Sequence, residues 1–212
     1  MNNSHENLTL SFERVLFFSD AVFAIVITLL VLELKVPLIE REHFTESGLR
    51  HELFELIPKF LGFIYSFFIV GLMWVEHHRI FRFINGFDFG LIWRNFAFLL
   101  FVAFIPFPTA LFSEYFYSRT AFILYAATFG VAALGKLWIW LYVTKTRPEL
   151  LTSEADPEII RQITMRSLAV PVVCVLAIGL SFIAIAFGGL SFGLIPLVAN
   201  LLYRKPKEAA AA

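Results

Sequence analysis

The sequence contains little cysteine and little charge. Its single cysteine, Cys174, stands within an apolar run, so an intrachain disulfide and a cluster of metal-binding thiolates are both excluded. Charged residues make up 16% of the 212 residues and hydrophobic residues 59%, whereas a soluble domain carries roughly 25% charged residues. Basic and acidic residues balance at 17 each, so no excess of positive charge indicates a nucleic-acid partner. This composition is that of an integral membrane protein.

The motifs of common enzymes and of ordinary potassium channels are also missing. There is no G-x-x-x-x-G-K phosphate loop, no G-x-S-x-G elbow, no H-E-x-x-H pair and no TVGYG filter. His77 and His78 are adjacent, and neighbouring side chains on a helix diverge by about 100°, so they do not chelate one ion as an i, i+4 pair does. We therefore expect neither an enzyme nor a metal site, and no cofactor.

Six apolar segments approach the roughly 20 residues that a helix needs to cross a bilayer. An all-α membrane protein with six transmembrane helices is predicted, as a single domain over residues 1–208, and residues 209–212 are expected to be a tail or cloning remnant. The predicted segments are residues 15–34, 57–83, 89–112, 120–144, 167–187 and 190–203.

The connections between these segments carry further expectations. Residues 40–55 are charged and read as a solvated loop or a short surface helix, and residues 145–166 read as a polar connector. Pro106 and Pro108 should kink or end the third helix, and the pair Gly188-Gly189 should break the fifth. The first residues lack a signal-peptide pattern, so the first segment should remain as an anchor.

The distribution of basic residues predicts the orientation in the membrane. If the N-terminus is inside, basic residues near the inner ends of the segments outnumber those near the outer ends roughly two to one. We expect a multi-pass protein of the cell membrane with both termini in the cytoplasm. Lys136 is a further charge within the membrane, and the sequence does not identify its partner.

Polar residues at the start of the first segment require partners. Ser19 and Asp20 lie in a membrane helix, where an ionisable side chain costs roughly 2.5–3.5 kcal/mol and is a hint of function. Trp74, His77 and Asn95 fall at the same predicted depth on the second and third segments. A hydrogen-bonded cluster of these residues would lock three helices together, which favours a scaffold over a proton relay or a metal site.

The remainder of the first segment presents an aliphatic stripe. At about 100° per residue, Ile25, Leu29 and Leu32 share one face, while Asp20 points about 140° away and Thr28 lies about 60° from the stripe. Residues at this spacing are commonly packing residues. They would also line a pore if several copies of the helix surrounded an axis.

The polar motifs resemble those of the transmembrane protein 175 family, the unconventional potassium channels of bacteria, archaea and lysosomes. The signature R-x-x-x-F-S-D is matched by Arg14, Phe18, Ser19 and Asp20. The family's further motifs follow in order across the chain: Trp74-x-x-His77 with Arg79 and Phe81, then Asn95, then Phe104-Ile105-Pro106-Phe107.

This resemblance implies a six-helix subunit whose first helix lines the central pore of a homotetramer that conducts potassium ions. It implies a constriction at Ile25, further aliphatic rings at Leu29 and Leu32, and an influence of Thr28 on selectivity. The polar residues would brace the pore helix from behind, as a network of Arg14, Phe18, Ser19, Asp20, Trp74, His77 and Asn95.

A hydrophobic constriction offers no oxygen ligands to a permeating ion. Selectivity would then arise from the cost of dehydration, which is smaller for potassium than for sodium, and gating from dewetting. The alternative is a proton-coupled secondary transporter in which Asp20 and His77 titrate. Such carriers are commonly built from inverted repeats and interrupted helices, and the sequence shows no such repeat.

Overall fold

The computed structural model describes the backbone of residues 2–202 and the side chains of residues 12–202. Within this part of the chain all regular structure is helical, and the only β interaction is an isolated bridge between Ile84 and Leu151. Six stretches are long and apolar enough to span a membrane, which confirms the predicted six-helix, all-α membrane fold. The spans are Phe12–Glu33, Ile57–Phe81, Phe89–Glu114, Arg119–Thr146, Pro157–Ser181 and Ile185–Leu202.

The first two spans are nearly continuous helices. Helix α1 (Asn2–Leu29) closes with a 3-10 turn at Leu30–Glu33. Helix α2 (Glu46–Glu55) is the short surface helix, and it begins at Thr45, whose hydroxyl accepts the amide of Gly48 at 3.0 Å. Helix α3 (Ile57–Phe81) forms the second span.

The third span is divided where the prolines predicted a kink. Helix α4 (Phe89–Phe104) ends before Ile105, and helix α5 (Pro106–Glu114) begins with Pro106 in its first turn. Proline lacks an amide hydrogen and crowds the preceding turn, so the helix cannot continue unbroken. Helix α6 (Arg119–Leu141) then forms the fourth span, and a π-helical turn at Tyr142–Thr146 completes it.

The predicted boundaries of the fifth and sixth segments were wrong. Helix α7 (Pro157–Ser167) occupies much of the expected polar connector and continues into helix α8 (Ala169–Ser181). The chain turns at Phe182 to Ala184 and returns through α9 (Ile185–Ser191) and α10 (Ile195–Leu202). Polar residues on α7 concealed its helical character, although Asp156 capping the amide of Ile159 at 2.7 Å is a helix-start signal. The predicted end at Tyr203 and the tail at 209–212 lie outside the described residues.

The glycine pair does not break a helix. Both glycines lie inside α9, and the turn precedes them. A Cβ on Gly188 would come within 2.7 Å of the Phe122 ring and 2.8 Å of the Ala177 carbonyl oxygen. Gly188 therefore allows two helices to approach closely. A rule that treats glycine as a helix-breaking residue does not detect this role.

Helix α6 forms the centre of the bundle. It packs between α4 and α8, and its buried aromatic side chains include Phe122, Phe129 and Trp140. Helix α1 packs at the edge of the bundle against α3 and α4. This arrangement leaves one side of α1 without cover from its own chain.

Candidate functional site

One side of helix α1 is anchored in the subunit. Ser19, Phe23, Val26 and Leu30 are each at most 2% exposed, and their spacing of three or four residues places them on one stripe. This stripe faces α3 and α4. The rotation of α1 about its own axis is thereby fixed.

The aliphatic stripe lies on the uncovered side of the same helix. Ile25 is 57% exposed, Leu29 40% and Leu32 67%. These residues are therefore not packing residues within the subunit. A pore, a second subunit or lipid can face them.

Thr28 is also exposed, and its hydroxyl is turned toward its own helix. The hydroxyl donates to the carbonyl oxygen of Ile25 at 2.8 Å, or to that of Ala24 at 3.0 Å. Because the hydrogen is engaged by the backbone, the side chain offers an oxygen acceptor to whatever lies opposite.

Behind the helix, three buried side chains form a directional chain of hydrogen bonds. Asn95 of α4 donates through Nδ2 to Oγ of Ser19 at 2.8 Å, and its Oδ1 accepts from Nε2 of His77 at 3.0 Å. An amide oxygen only accepts, so the proton of the imidazole lies on Nε2 in this arrangement. Ser19 in turn donates to the carbonyl oxygen of Val15 at 2.9 Å. The chain of donors thus ends on the backbone.

Aromatic rings enclose the histidine at one end of this chain. The His77 ring stacks on Phe98 with centroids 5.4 Å apart and an angle of 10°, and it lies 4.3 Å from the ring of Phe81. Phe23 of α1 lies 5.7 Å away. His77 thus joins α1, α3 and α4 through packing as well as through its hydrogen bond.

Asp20 belongs to a separate link. The indole Nε1 of Trp74 donates to Oδ1 of Asp20 at 2.8 Å, which joins α1 to α3. Asp20 and His77 both line a cavity of about 320 Å³ that also receives Glu13 and His78. The polar cluster predicted from the sequence is therefore divided into two hydrogen-bonded groups on the three helices. One joins Ser19, Asn95 and His77, and the other joins Asp20 and Trp74.

The other two signature residues lie on the open side of α1. Arg14 is exposed, and Phe18 is 49% exposed and meets the ring of Phe96 edge-on at 5.5 Å. Both point within about 20° of the direction of Ile25. The structure thus places them beside the aliphatic stripe, and both also line a cavity of about 200 Å³ that Asn95 shares.

The sequence identifies Lys136 as a charge within the membrane but does not identify its partner. Lys136 of α6 is 3% exposed, and its Nζ lies 4.0 Å from Oε2 of Glu76 on α3. The other carboxylate oxygen of Glu76 accepts from Arg79 at 2.7 Å. Glu76 is the acidic residue in the W-V-E-H-H-R sequence, and only the relative rotation of α3 and α6 identifies it as the partner.

The described residues contain no group of three histidine, cysteine or acidic side chains suited to a metal ion. His78 turns away from His77 and lies against the indole of Trp74, with centroids 5.9 Å apart. The divergence expected for adjacent helical residues is observed here.

Outside the membrane, Asp88 fixes the start of α4 and hence the height of Asn95. Its carboxylate accepts the amide of Leu91 and the hydroxyl of Tyr142, each at 2.7 Å, and pairs with Arg147. Burial opposes ionisation of Asp88, but these hydrogen bonds and the charge of Arg147 outweigh it and lower its pKa.

Next to this carboxylate, Arg94 is held between two aromatic rings. Its guanidinium lies 3.7 Å from the centre of the Tyr142 ring and 4.7 Å from that of Trp138. The carbonyl oxygen of Gly90 accepts from the same side chain at 2.8 Å. The first turns of α4 are therefore fixed against α6.

Comparison with known proteins identifies close relatives. The family model described as endosomal/lysosomal potassium channel TMEM175 matches residues 14–106. A protein from Chamaesiphon minutus named a potassium channel is 39% identical over 175 residues, covering 81% of this chain and 85% of the relative. Another from Streptomyces collinus, also named a potassium channel, is 34% identical over 192 residues, covering 87% and 89%.

A solved structure matches over nearly its whole length. It is the crystal structure of a lysosomal potassium-selective channel TMEM175 homolog from Chamaesiphon minutus, with a TM-score of 0.75 and 35% identity. The match covers 92% of this chain and 99% of that chain.

Proposed function

Because the chain belongs to the TMEM175 family of potassium channels, we propose that it conducts potassium ions passively across the cell membrane. The observation that carries the proposal is the exposed stripe of Ile25, Leu29 and Leu32 on a helix whose opposite side is buried in its own subunit. A fixed helix with an uncovered aliphatic face is suited to lining a pore.

The pore requires several subunits, because one helix cannot enclose a water path. A closed ring of identical chains gives each copy the same environment. We take four copies from the family pattern, with one α1 from each subunit around the axis. The whole six-helix unit then acts as a single domain, with both termini on the cytoplasmic side.

The proposed constriction is a ring of Ile25 side chains, followed by rings of Leu29 and Leu32. Such rings contribute no ligand oxygens, so an ion loses part of its water shell without replacement. Potassium holds its shell less strongly than sodium and passes more readily. The Thr28 oxygen supplies a polar contact beside the narrowest ring and supports this preference.

The polar residues behind the helix serve as its mechanical support. The hydrogen-bond chain from His77 through Asn95 to Ser19 ends on the carbonyl oxygen of Val15, which is not a proton-accepting group at ordinary pH. Asp20 is hydrogen-bonded to Trp74 instead. These contacts favour a scaffold over the alternative of a proton-coupled transporter that uses Asp20 and His77.

Ion flux from liposomes tests the proposal. Purified protein in potassium-loaded liposomes should release potassium down its gradient without ATP and without a proton gradient. Release from sodium-loaded liposomes should be slower, and protein-free liposomes give the background. Flux that occurs only when a proton gradient is imposed would identify the transporter instead.

A further inference from the structure

A second feature lies between the end of α3 and the side of α7. A cavity of about 460 Å³ opens there, and three of its lining residues are Arg79, Arg82 and Arg166. Two carboxylates neighbour these arginines, Glu154 in the cavity wall and Glu76 behind it. The arginines thus exceed the carboxylates around this cavity.

The three arginines differ in how well they are neutralised. Arg79 is bound to Glu76 at 2.7 Å. Arg82 and Glu154 are 4.0 Å apart and about 70% exposed, and an exposed pair of this kind contributes little. The Nε of Arg166 is buried and has no hydrogen-bond partner among the described residues. Arg166 forms no ion pair among the described residues, so Arg82 and Arg166 are the least neutralised of the three arginines.

A second, largely apolar cavity adjoins the first through Arg166. Its volume is about 220 Å³, and its walls include Leu72, Val170 and Ile195. Lys136 also lines it, close to the carboxylate of Glu76. A cationic recess thus continues into an apolar groove between membrane helices.

We propose that the phosphate group of an anionic phospholipid binds to Arg82 and Arg166 in the first cavity, with an acyl chain in the adjoining groove. Basic pockets between membrane helices suit acidic headgroups at this depth. The groove favours a lipid over a free phosphate ion, because inorganic phosphate would leave its apolar walls unoccupied. With the orientation proposed above, the lipid comes from the cytoplasmic leaflet.

Titration followed by native mass spectrometry of the detergent-solubilised protein tests this site. Phosphatidylglycerol is added, and the bound molecules per assembly are counted. Each arginine replaced by glutamine should weaken binding roughly fivefold, since a basic residue near an anionic lipid surface contributes about 1 kcal/mol. The double variant Arg82→Gln/Arg166→Gln should therefore bind about 25-fold more weakly.

Matched variants and ligands separate the possible results. Arg41→Gln removes one positive charge from an exposed turn elsewhere and should leave binding unchanged. The double lysine variant keeps both charges and should bind close to the wild type. Gel filtration verifies that each variant is assembled, and the single variants replace the double variant if it does not assemble.

Three results would overturn the proposal. Equal retention of phosphatidylcholine would show that charge does not select the lipid. Unchanged binding in the glutamine variants would place the lipid elsewhere. Displacement of phosphatidylglycerol by millimolar inorganic phosphate would identify a site for the free anion.

Discussion

The indole of Trp74 donates a hydrogen bond of 2.8 Å to the carboxylate of Asp20, and so joins helix α1 to α3. Both side chains are partly accessible, so water can replace part of a lost bond. The bond is charge-assisted, and bonds to charged groups are stronger than neutral ones. It is the contact by which the only aspartate in α1 is anchored.

We expect Trp74→Phe to destabilise the protein by about 1 kcal/mol, because the donor is lost while most of the ring packing is kept. Melting followed by tryptophan fluorescence measures the change, and the potassium-to-sodium flux ratio should stay the same. Trp93→Phe is the control, since Trp93 is exposed, meets the rings of Phe89 and Phe96, and makes no side-chain hydrogen bond among the described residues. Equal melting points for the two variants would show that the hydrogen bond of Trp74 does not stabilise the protein.

Asn95 should be the most sensitive member of the buried hydrogen-bond chain. Asn95→Ala removes two hydrogen bonds and leaves the Nε2–H of His77 unpaired, while Ser19 keeps its bond to the carbonyl oxygen of Val15. Ser19→Ala removes one bond to Asn95 and leaves the other bond of the amide in place. An unpaired buried polar group costs about 1–3 kcal/mol, so the asparagine variant should lose more stability than the serine variant. Thermal unfolding of both variants gives the order. A larger loss for Ser19→Ala would mean that the serine has another role.

Length and hydropathy predict the number of membrane spans and the bounds of the first four. The first four predicted segments agree with the observed spans to within about three residues at each end. The partners of Asp20 and Ser19 were also found among residues at matching depth, because polar groups in a membrane need each other.

Other features depend on helix rotation and packing, which periodicity does not contain. The polar side of α7 resembles a connector until its contacts with α6 and α10 are known. In the sequence Gly188 looks like a helix-breaking residue, and only the structure shows that the Phe122 ring packs against it. The Glu76–Lys136 pair and the exposure of Phe18 likewise depend on how α1, α3 and α6 are turned.

The pair of buried Lys136 and half-buried Glu76 should show measurable coupling. Lys136→Met removes one charge, but Glu76 keeps its bond to Arg79, so the loss should stay below the roughly 3–5 kcal/mol that breaking a fully buried pair costs. Glu76→Gln in the same chain neutralises the remaining partner, so the double variant should regain part of this stability. A double-mutant cycle of unfolding free energies measures the coupling. Additive effects would show that the two groups, 4.0 Å apart, do not interact.

The pH dependence of stability should include a contribution from Asp88. Its pKa is lower in the folded protein than in the unfolded chain, so its contribution is present above the ordinary carboxyl pKa of about 3.9 and is lost as the pH falls through the folded pKa. Asp88→Asn keeps an N-cap for α4 but removes the charge. We expect the wild type to lose more stability than this variant between about pH 5 and pH 2. Parallel melting curves over that range would exclude the contribution.

The pore assignment is tested most directly at Ile25. Ile25→Asn places a polar amide at the proposed constriction, which should wet it and lower the dehydration cost that separates potassium from sodium. We expect the sodium flux to rise and the potassium-to-sodium ratio to fall, with potassium flux equal to or above that of the wild type. Paired measurements in potassium-loaded and sodium-loaded liposomes give the ratio.

Ile64→Asn is the matched control for this variant. Ile64 lies on α3 and is 45% exposed, against 57% for Ile25, so the two substitutions place the same amide at similarly uncovered positions. If Ile64 faces lipid, its substitution should lower stability and leave the ion ratio unchanged, because a polar group in hydrocarbon is unfavourable but does not touch the ion. An unchanged ratio for Ile25→Asn, or the same fall in both variants, would place the ion path away from the stripe on α1.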